Sequence, residues 1–533
     1  MDEIKTESHA ELGSIDGEDI GQLSKRYGTS ADRRDMYRMG KTQKLRRNFG
    51  FFSIFGFSMI LLSTWETQLG TSVFGLSNGG SGGLIWVYVG TLIGMSAVIA
   101  SMAEMASMAP TAGGQYHWVS EFSPRSCQKI LSYVVGWLCV MGWQTGAASQ
   151  AFLAGTELQS LVILNYPSYD PRPWHGTLIV IAMAAFCGMF NTLLARKLPL
   201  VEGTVLILHI LGFFAIIVPL VVLSPTRATA KEVFLTFNNG KYDPSGHRPW
   251  SSTAVACLVG IIGPTVSLLG SDAATHMSEE LQDASYTLPR AMIATGIFNG
   301  TLGFAMLVAF CFCLGDTTKL LESAVGKNGF PFIQVFVHAT NSVGGATVMT
   351  SILIVLSTFC CITNIATASR QLFAFARDQG LPFSKFFAHV PIGWDIPLNS
   401  VLLTMLVSIS LSLINIGSHA AYNNMTSLGV CALLSSYMVS ISCVCIMRYR
   451  KQPLLPRRFS LGKAGFAINI FSVLFLSVVY VFCLFPPVVR PNVTEMNWSV
   501  IMYVGVMGLS MVYYFYKGRR VYVGPVEYVR KTR

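Results

Sequence analysis

Three ionisable side chains stand out within mainly apolar stretches. Glu66 interrupts residues 51–76, Asp272 interrupts 254–280, and His209 lies between Leu208 and Ile210 in 201–223. A charged carboxylate at the middle of a membrane costs about 2.5–3.5 kcal/mol on insertion scales and is seldom kept without a partner or a task. Two tasks suit Glu66: counter-ion to an ammonium, or carrier of a proton, because low dielectric disfavours the charged form of a carboxyl group. Histidine titrates near neutral pH and relays protons, which makes His209 a second proton-coupling candidate. Trp65, next to Glu66, offers a ring face to a cation. Gly270, Ser271 and Asp272 together suit a chain break that meets an amine, and Ser63, Thr64 and Gln144 supply small polar contacts. The plainer readings are an interfacial Glu66, a kink at Gly270, a helix-capping Asp272 and a hydrogen-bonded core histidine.

A second group of charges collects at the ends of spans. Glu279, Glu280 and Arg290 close the sixth and open the seventh, and Arg370, Arg377 and Asp378 lie at the matching end of the eighth. Opposed charges there can form an inner, cytoplasmic gate or a solvated salt-bridge cluster. His276 with Glu279 and Glu280 lacks further ligands at metal-site spacing, so no metal is expected, and no cofactor beyond a coupling proton. The 12 cysteines include no CxxC pair and read as small core hydrophobes.

The elements that position these residues follow from composition. At 52% hydrophobic, 12% charged and mean hydropathy +0.51, the chain is too apolar for a soluble globule. Crossing a hydrocarbon core takes roughly 20 apolar residues. Such windows fall at 51–76, 84–105, 130–155, 176–194, 201–223, 254–280, 289–313, 346–370, 398–416, 426–447, 465–485 and 499–516, predicting an all-α polytopic membrane protein of about twelve helices. No cleavable signal peptide is expected, and residues 1–48 read as a disordered tail. The net charge of +11 is concentrated in Lys41, Lys44, Arg46 and Arg47, in Arg448, Arg450, Lys451, Arg457, Arg458 and Lys463, and in Lys517, Arg519 and Arg520. That pattern argues against nucleic acid and puts both termini in the cytoplasm. The sequons at Asn492 and Asn497 then face outside as glycosylation candidates.

Pairing helices 1–5 with 6–10 sets 51–76 against 254–280, and both are broken. The first loses its apolar run at Ser63-Thr64-Trp65-Glu66-Thr67-Gln68. The second runs only about 24 Å, at 1.5 Å per residue, from Ala254 to Leu269 before Gly270. Backbone freed by such breaks must be buried in protein or line a wet cavity. Paired breaks in matching helices point to a transporter site. In the third helix, Gly142 and Gly146 have the small-xxx-small spacing of close helix contacts, as do Gly90 and Gly94.

Three stretches carry a family likeness: Glu104 with Pro110-Thr111-Ala112-Gly113-Gly114-Gln115-Tyr116-His117-Trp118; Gly270 to Glu280 with Pro289; and Ser369-Arg370 through Ala376-Arg377-Asp378-Gln379-Gly380-Leu381-Pro382. Over roughly 45–515 the chain resembles the amino acid–polyamine–organocation superfamily, and within it the fungal amino acid/choline transporter group that includes choline and GABA permeases. The resemblance implies a LeuT-like 5+5 inverted repeat plus two helices, working by alternating access and usually proton-driven. The group often reads Thr-Trp-Glu at the first break, as Thr64-Trp65-Glu66 does here, where many bacterial relatives have Gly-Ser-Gly. His209 matches the position at which proton-coupled bacterial relatives carry a lysine.

The expected organisation is a cytoplasmic tail 1–48, a transporter domain 49–516 with repeats about 49–223 and 254–447 and extra helices about 465–516, and a cytoplasmic tail 517–533. The expected function is proton symport of an amino acid or a related amine such as choline, GABA or a polyamine. A non-transporting nutrient sensor on the same fold is the alternative. A channel lacks a filter motif here, and an enzyme lacks a clustered nucleophile or base. The expected partners are the substrate and membrane lipid, with the plasma membrane ahead of the vacuolar membrane.

Overall fold

With no water in a bilayer core, each spanning segment must satisfy its own backbone, and helices do so. The computed structural model describes residues 28–41, 43, 45–240, 248–391, 394, 396–416 and 420–525. Among the described residues, eleven helices are long and apolar enough to cross a membrane. The remaining expected crossing is made in pieces: α2 (Phe51–Leu62), α3 (Thr64–Gly70) and α4 (Ser72–Ser77), after a short α1 (Ser30–Arg38). There follow α5 (Gly80–Met108), α6 (Gln115–Phe122), α7 (Gln128–Asn165), α8 (Pro173–Leu193) and α9 (Leu198–Leu223). The second broken crossing is α10 (Thr253–Val259), α11 (Ile262–Leu268) and α12 (Ala273–His276). The remaining helices that could cross a membrane are α13 (Ala284–Phe312), α14 (Val343–Arg377), α15 (Leu398–Ser412), α16 (Ala421–Tyr449), α17 (Gly465–Cys483) and α18 (Ser499–Tyr513).

α9 shows how one apolar helix acquires two faces. Leu200, Ile207, Leu211, Phe214 and Val218 are exposed, an apolar stripe that only lipid can cover. Glu202, Val205, His209, Ile216 and Leu220 form the opposite, buried stripe at helical spacing. α7 is the central post, packed against α14 and α16. A Cβ on Gly142 would stand 2.6 Å from Leu433 of α16, and one on Gly429 2.9 Å from Thr145, so these glycines set the helix separation. Gly94 receives Phe475 of α17 in the same way, whereas Gly90 faces open space.

The breaks are more local than the sequence pattern suggests. The first is a single left-handed residue, Ser63 at φ 39° and ψ 49°, whose hydroxyl donates to the Ile60 carbonyl at 2.5 Å. Helix resumes at Thr64, so Glu66 lies in a first helical turn rather than in an unwound stretch. The second lies at Gly270, whose φ of +106° suits glycine alone, after an extended Leu269.

The N-terminal tail also departs from expectation. Residues 1–27, Thr42 and Lys44 lie outside the described set, but 30–38 form a helix closed by a Thr29–Asp32 capping box. Disorder therefore does not extend through all of 1–48. Asp32 accepts from the backbone N–H of Asp283 (2.9 Å) and Ala284 (3.0 Å), closing the N-terminus of α13, and pairs with the buried Arg47 at 3.3 Å. At the other end, Tyr522 is fully buried, its hydroxyl 2.7 Å from that of Ser132.

One sequon is overturned. Asn497 is buried, and its amide donates to Ser427 (3.1 Å) and to the carbonyls of Phe485 (3.2 Å) and Cys483 (3.3 Å). Asn492 is exposed. N-glycan at these two positions is therefore expected on Asn492 alone. In a glycosylating host, Asn492→Gln should lower the apparent mass on a gel as glycosidase does, and Asn497→Gln should not.

Candidate functional site

The two broken crossings face each other across one partly open space. Ser267 of α11 donates to Gln68 of α3 at 3.1 Å, tying the broken crossings together. Beside that tie lies a cavity of about 70 Å³ lined by Leu61, Leu62, Thr67, Gly142, Trp143, Gly146, Ser149, Gln150, Val266, Leu269, Gly270, Asn364, Tyr422, Thr426, Gly429, Val430 and Leu433. At roughly 10–15 Å³ per water-sized occupant, it suits a small solute. No lining side chain is charged. The hydroxyls of Ser149 and Thr426 are buried without a hydrogen-bond partner and can serve a ligand. On one side the Tyr422 ring stacks with Phe152 (5.7 Å) and Phe74 (6.3 Å), closing the space with three aromatic plates.

The charge sits behind the opposite wall. Asp272 makes no capping bond to α12; instead its carboxylate accepts from Gln115 (2.6 Å), Trp143 (3.3 Å) and the Tyr437 hydroxyl. His276 places Nδ1 2.8 Å from the Ala112 carbonyl, which fixes the proton there, and Nε2 3.4 Å from Asp272. Trp143 thus has one end in the cavity and its N–H on a carboxylate. A cation over that ring would meet the π face and, behind it, the negative charge of Asp272.

Glu66 and His209 meet on the far side of α3. His209 Nδ1 is 2.6 Å from Glu66 Oε1, and Nε2 is 3.2 Å from Asn299 Oδ1. The Asn299 amide is committed to the Met59 carbonyl at 2.9 Å, so its oxygen faces the imidazole and His209 Nε2 must carry hydrogen. The 2.6 Å contact then needs one proton of its own, as imidazolium–carboxylate or imidazole–carboxylic acid. Without that proton two lone pairs would oppose each other at this distance. Trp65 packs on the same pair, 5.8 Å from His209 and 6.0 Å from Phe213.

The inner charges form a network. Arg377 grips Glu279 with both terminal nitrogens, Arg370 Nε donates to Glu280 at 2.8 Å, and Asp378 accepts from Lys41 and, at 2.9 Å, from Tyr116. Burial pushes the Asp378 carboxyl up, but Lys41 and Arg377 outweigh it and hold the group below its ordinary range. Burial and Arg377 act in the same opposed way on Glu279, again with the carboxyl held low. Arg290 is not in this network. It lies over the Tyr286 ring at 3.3 Å and donates to the Tyr286 carbonyl, which corrects its expected place in the gate. Among the described residues no group of three His, Cys, Asp or Glu side chains could hold a metal ion.

Of the substrate-binding candidates, Gly270 reaches the cavity. Asp272 stands one residue layer behind it, through Trp143. Ser63 serves the break itself, Thr64 packs toward Gly303 of α13, and Trp65 and Glu66 turn toward α9. Ser271 is buried with its hydroxyl unpartnered. Gln144 points away, donating to Thr404 of α15 at 3.0 Å and to the Ala368 carbonyl at 3.4 Å. Gln144→Ala is therefore expected to leave the KM for substrate within about twofold and to cost about 1 kcal/mol of stability, read by uptake kinetics and thermal unfolding. The cavity residues that sequence reasoning missed are Trp143, Ser149, Gln150, Asn364, Tyr422 and Thr426. Asn364, Ser149 and Gln150 were visible as polar residues within helices, but not the direction they face.

Residues 49–507 match the amino acid permease family. A putative amino acid/polyamine transporter of Macrophomina phaseolina is 30% identical, the alignment covering 83% of this chain and 96% of that protein. The choline transporter of Saccharomyces cerevisiae is 27% identical over 89% of this chain and 82% of its own length. Amino-acid permease 2 of Neurospora crassa is 27% identical over 92% and 88%.

Proposed function

The chain belongs to the amino acid permease family, and on that premise we propose that it carries a small amine or amino acid through the cavity between its two breaks, driven by the proton shared by Glu66 and His209. It is an integral membrane protein and a transporter of amino acids or related amines, not an enzyme. The observation that carries the mechanism is a cavity between the two broken crossings with a proton-requiring contact on the other face of α3. A primary or quaternary ammonium packs between the Trp143 and Tyr422 rings, with the Asp272 charge behind the indole. A carboxylate on the same ligand meets the hydroxyls of Ser149 and Thr426.

Coupling follows from the 2.6 Å contact. A proton bound there holds α3 against α9 and favours the closed arrangement. Its loss turns the same contact repulsive and releases α3, so proton binding and closure stabilise each other. Alternating access then consists of opening the Phe74–Tyr422–Phe152 cover on one side or the Glu279–Arg377 and Glu280–Arg370 pairs on the other. An inward proton gradient at the plasma membrane would make the direction uptake.

The test is uptake of labelled choline, GABA, polyamines and the common amino acids into proteoliposomes, at outside pH 5 and pH 8, with and without a protonophore. Saturable uptake of one class that collapses with the protonophore is the expected result. Uptake indifferent to pH and protonophore would remove the coupling, and binding without flux for every compound would make the chain a sensor.

A further inference from the structure

We infer that Glu157 and Glu202 extend the Glu66–His209 pair into a proton path along the first membrane crossing, separate from the substrate cavity. The inference rests on the proton-coupled reading above.

Both carboxyl groups are fully enclosed; Glu202 has no hydrogen-bond donor on either oxygen, and Glu157 has only the Ser357 hydroxyl beside it. An enclosed carboxyl with so few partners is costly, since little inside replaces its lost water. The fold keeps two of them, one on each side of the proton-requiring pair. Glu157 lies on α7 against the top of α3, where a Cβ on Gly70 would stand 3.1 Å from its Oε1. Glu66 is four residues below Gly70 on the same helix, about 6 Å along the axis. The groups facing Glu157 are Ser357 of α14, Tyr422 of α16 and Glu66 itself. Glu66 commits Oε1 to His209, while its Oε2 is buried without a partner and is free to take a proton.

Glu202 continues the line toward the other end of the crossing. It precedes His209 by seven residues, two turns or about 10.5 Å, on the buried stripe of α9. Its helix is closed off there by α2: a Cβ on Gly56 would stand 2.8 Å from the Glu202 carbonyl oxygen, so only glycine lets the two helices meet so closely. Among the described residues no charged side chain faces Glu202. None of Glu157, Glu66, His209 and Glu202 lines the substrate cavity. One proton enters on Glu157, passes to Glu66, is shared with His209 and leaves through Glu202 when α2 moves off α9. Each carboxyl gains and then loses one proton, and the net change is one proton moved inward.

The test uses the full chain in proteoliposomes containing pyranine. A mixture of choline, GABA and the common amino acids is added outside, and internal acidification is compared with counterflow exchange of the labelled mixture, which needs no net proton movement. Glu157→Gln and Glu202→Gln are expected to lower substrate-driven acidification at least tenfold and to keep exchange within threefold. Glu157→Asp and Glu202→Asp, which still titrate, should regain part of the acidification. If the wild type acidifies and both Gln variants do so within twofold of it, the path is wrong and the coupling at Glu66 and His209 stands. If exchange falls as far as acidification, the two carboxyls are structural and the path is again wrong. A wild type that exchanges substrate without acidification overturns the coupling and the path together.

Discussion

Glu66→Gln is expected to abolish proton-driven accumulation, with at least a 100-fold loss of concentrative uptake, while counterflow exchange survives. Glutamine fits the same space, and its amide can donate to the His209 Nδ1 lone pair, because Asn299 holds the hydrogen of His209 on Nε2. The contact between α3 and α9 thus carries a hydrogen that does not titrate, and it breaks and re-forms as a neutral hydrogen bond at any pH. Closure no longer depends on pH, and the gradient has nothing to act on. A 100-fold loss corresponds to about 2.7 kcal/mol of lost coupling. His209→Ala should remove coupling by a different route. It strands a buried carboxyl and orphans the Asn299 oxygen, so it should also cost stability, about 3–5 kcal/mol on the scale of broken buried pairs. Uptake at pH 5 and pH 8, exchange and thermal unfolding of the three proteins separate these outcomes. Full pH-dependent accumulation by Glu66→Gln would remove this residue from the mechanism.

The second large effect is expected at Asp272, where transport and stability should fall together. Asp272→Ala leaves the donors of Gln115, Trp143 and Tyr437 buried with no acceptor. At about 1–3 kcal/mol for each orphaned group, the loss is at least 3 kcal/mol. Transport should fall more than 100-fold, because the Trp143 indole, one wall of the cavity, loses the bond that fixes its plane. Asp272→Asn behaves differently. Its oxygen can still accept from Gln115 and Trp143, and its amide can donate to the Tyr437 hydroxyl, so folding should be kept within about 1 kcal/mol. What it removes is the charge behind the ring. Affinity for a cationic or zwitterionic substrate should drop at least tenfold, read as a rise in KM with normal unfolding temperature. An unchanged KM in Asp272→Asn would place the substrate amine elsewhere.

Much of this molecule was legible in the sequence, because its main constraints are local. A run of about 20 apolar residues must cross lipid wherever it lies in the chain, so eleven of the twelve expected crossings match a long apolar helix, to within a few residues at most ends. A carboxyl inside such a run is conspicuous for the same reason, and Glu66, Asp272 and His209 stood out before any fold was known. Glycine at a break is likewise a local matter, since the φ of Gly270 is closed to other residues. The third helix shows the limit of that reading. Expected to end at 155, it runs to Asn165, 38 residues in all, longer than a perpendicular crossing requires. Glu157 therefore lies inside the bundle and not in a loop.

Rotation and partnership were decided by the tertiary structure. Gln144 and Trp143 are neighbours, yet one faces α15 and the other the cavity, because a helix turns about 100° per residue and packing fixes its phase. Glu66 could have met a substrate or a proton relay; only the packing of α3 on α9 and α13 turned it toward His209 and Asn299. Asp272 resembled a helix cap until α6, α7 and α16 each brought it a donor. Asn497 fits the sequon as well as Asn492 does, but the carbonyls around it consume its amide. Sequence determines what each segment must do in lipid, because transfer from water depends on the residues of that segment alone. Which side chains meet is fixed only when helices distant in sequence share one interior and every buried polar group has to find its partner there or be left without one.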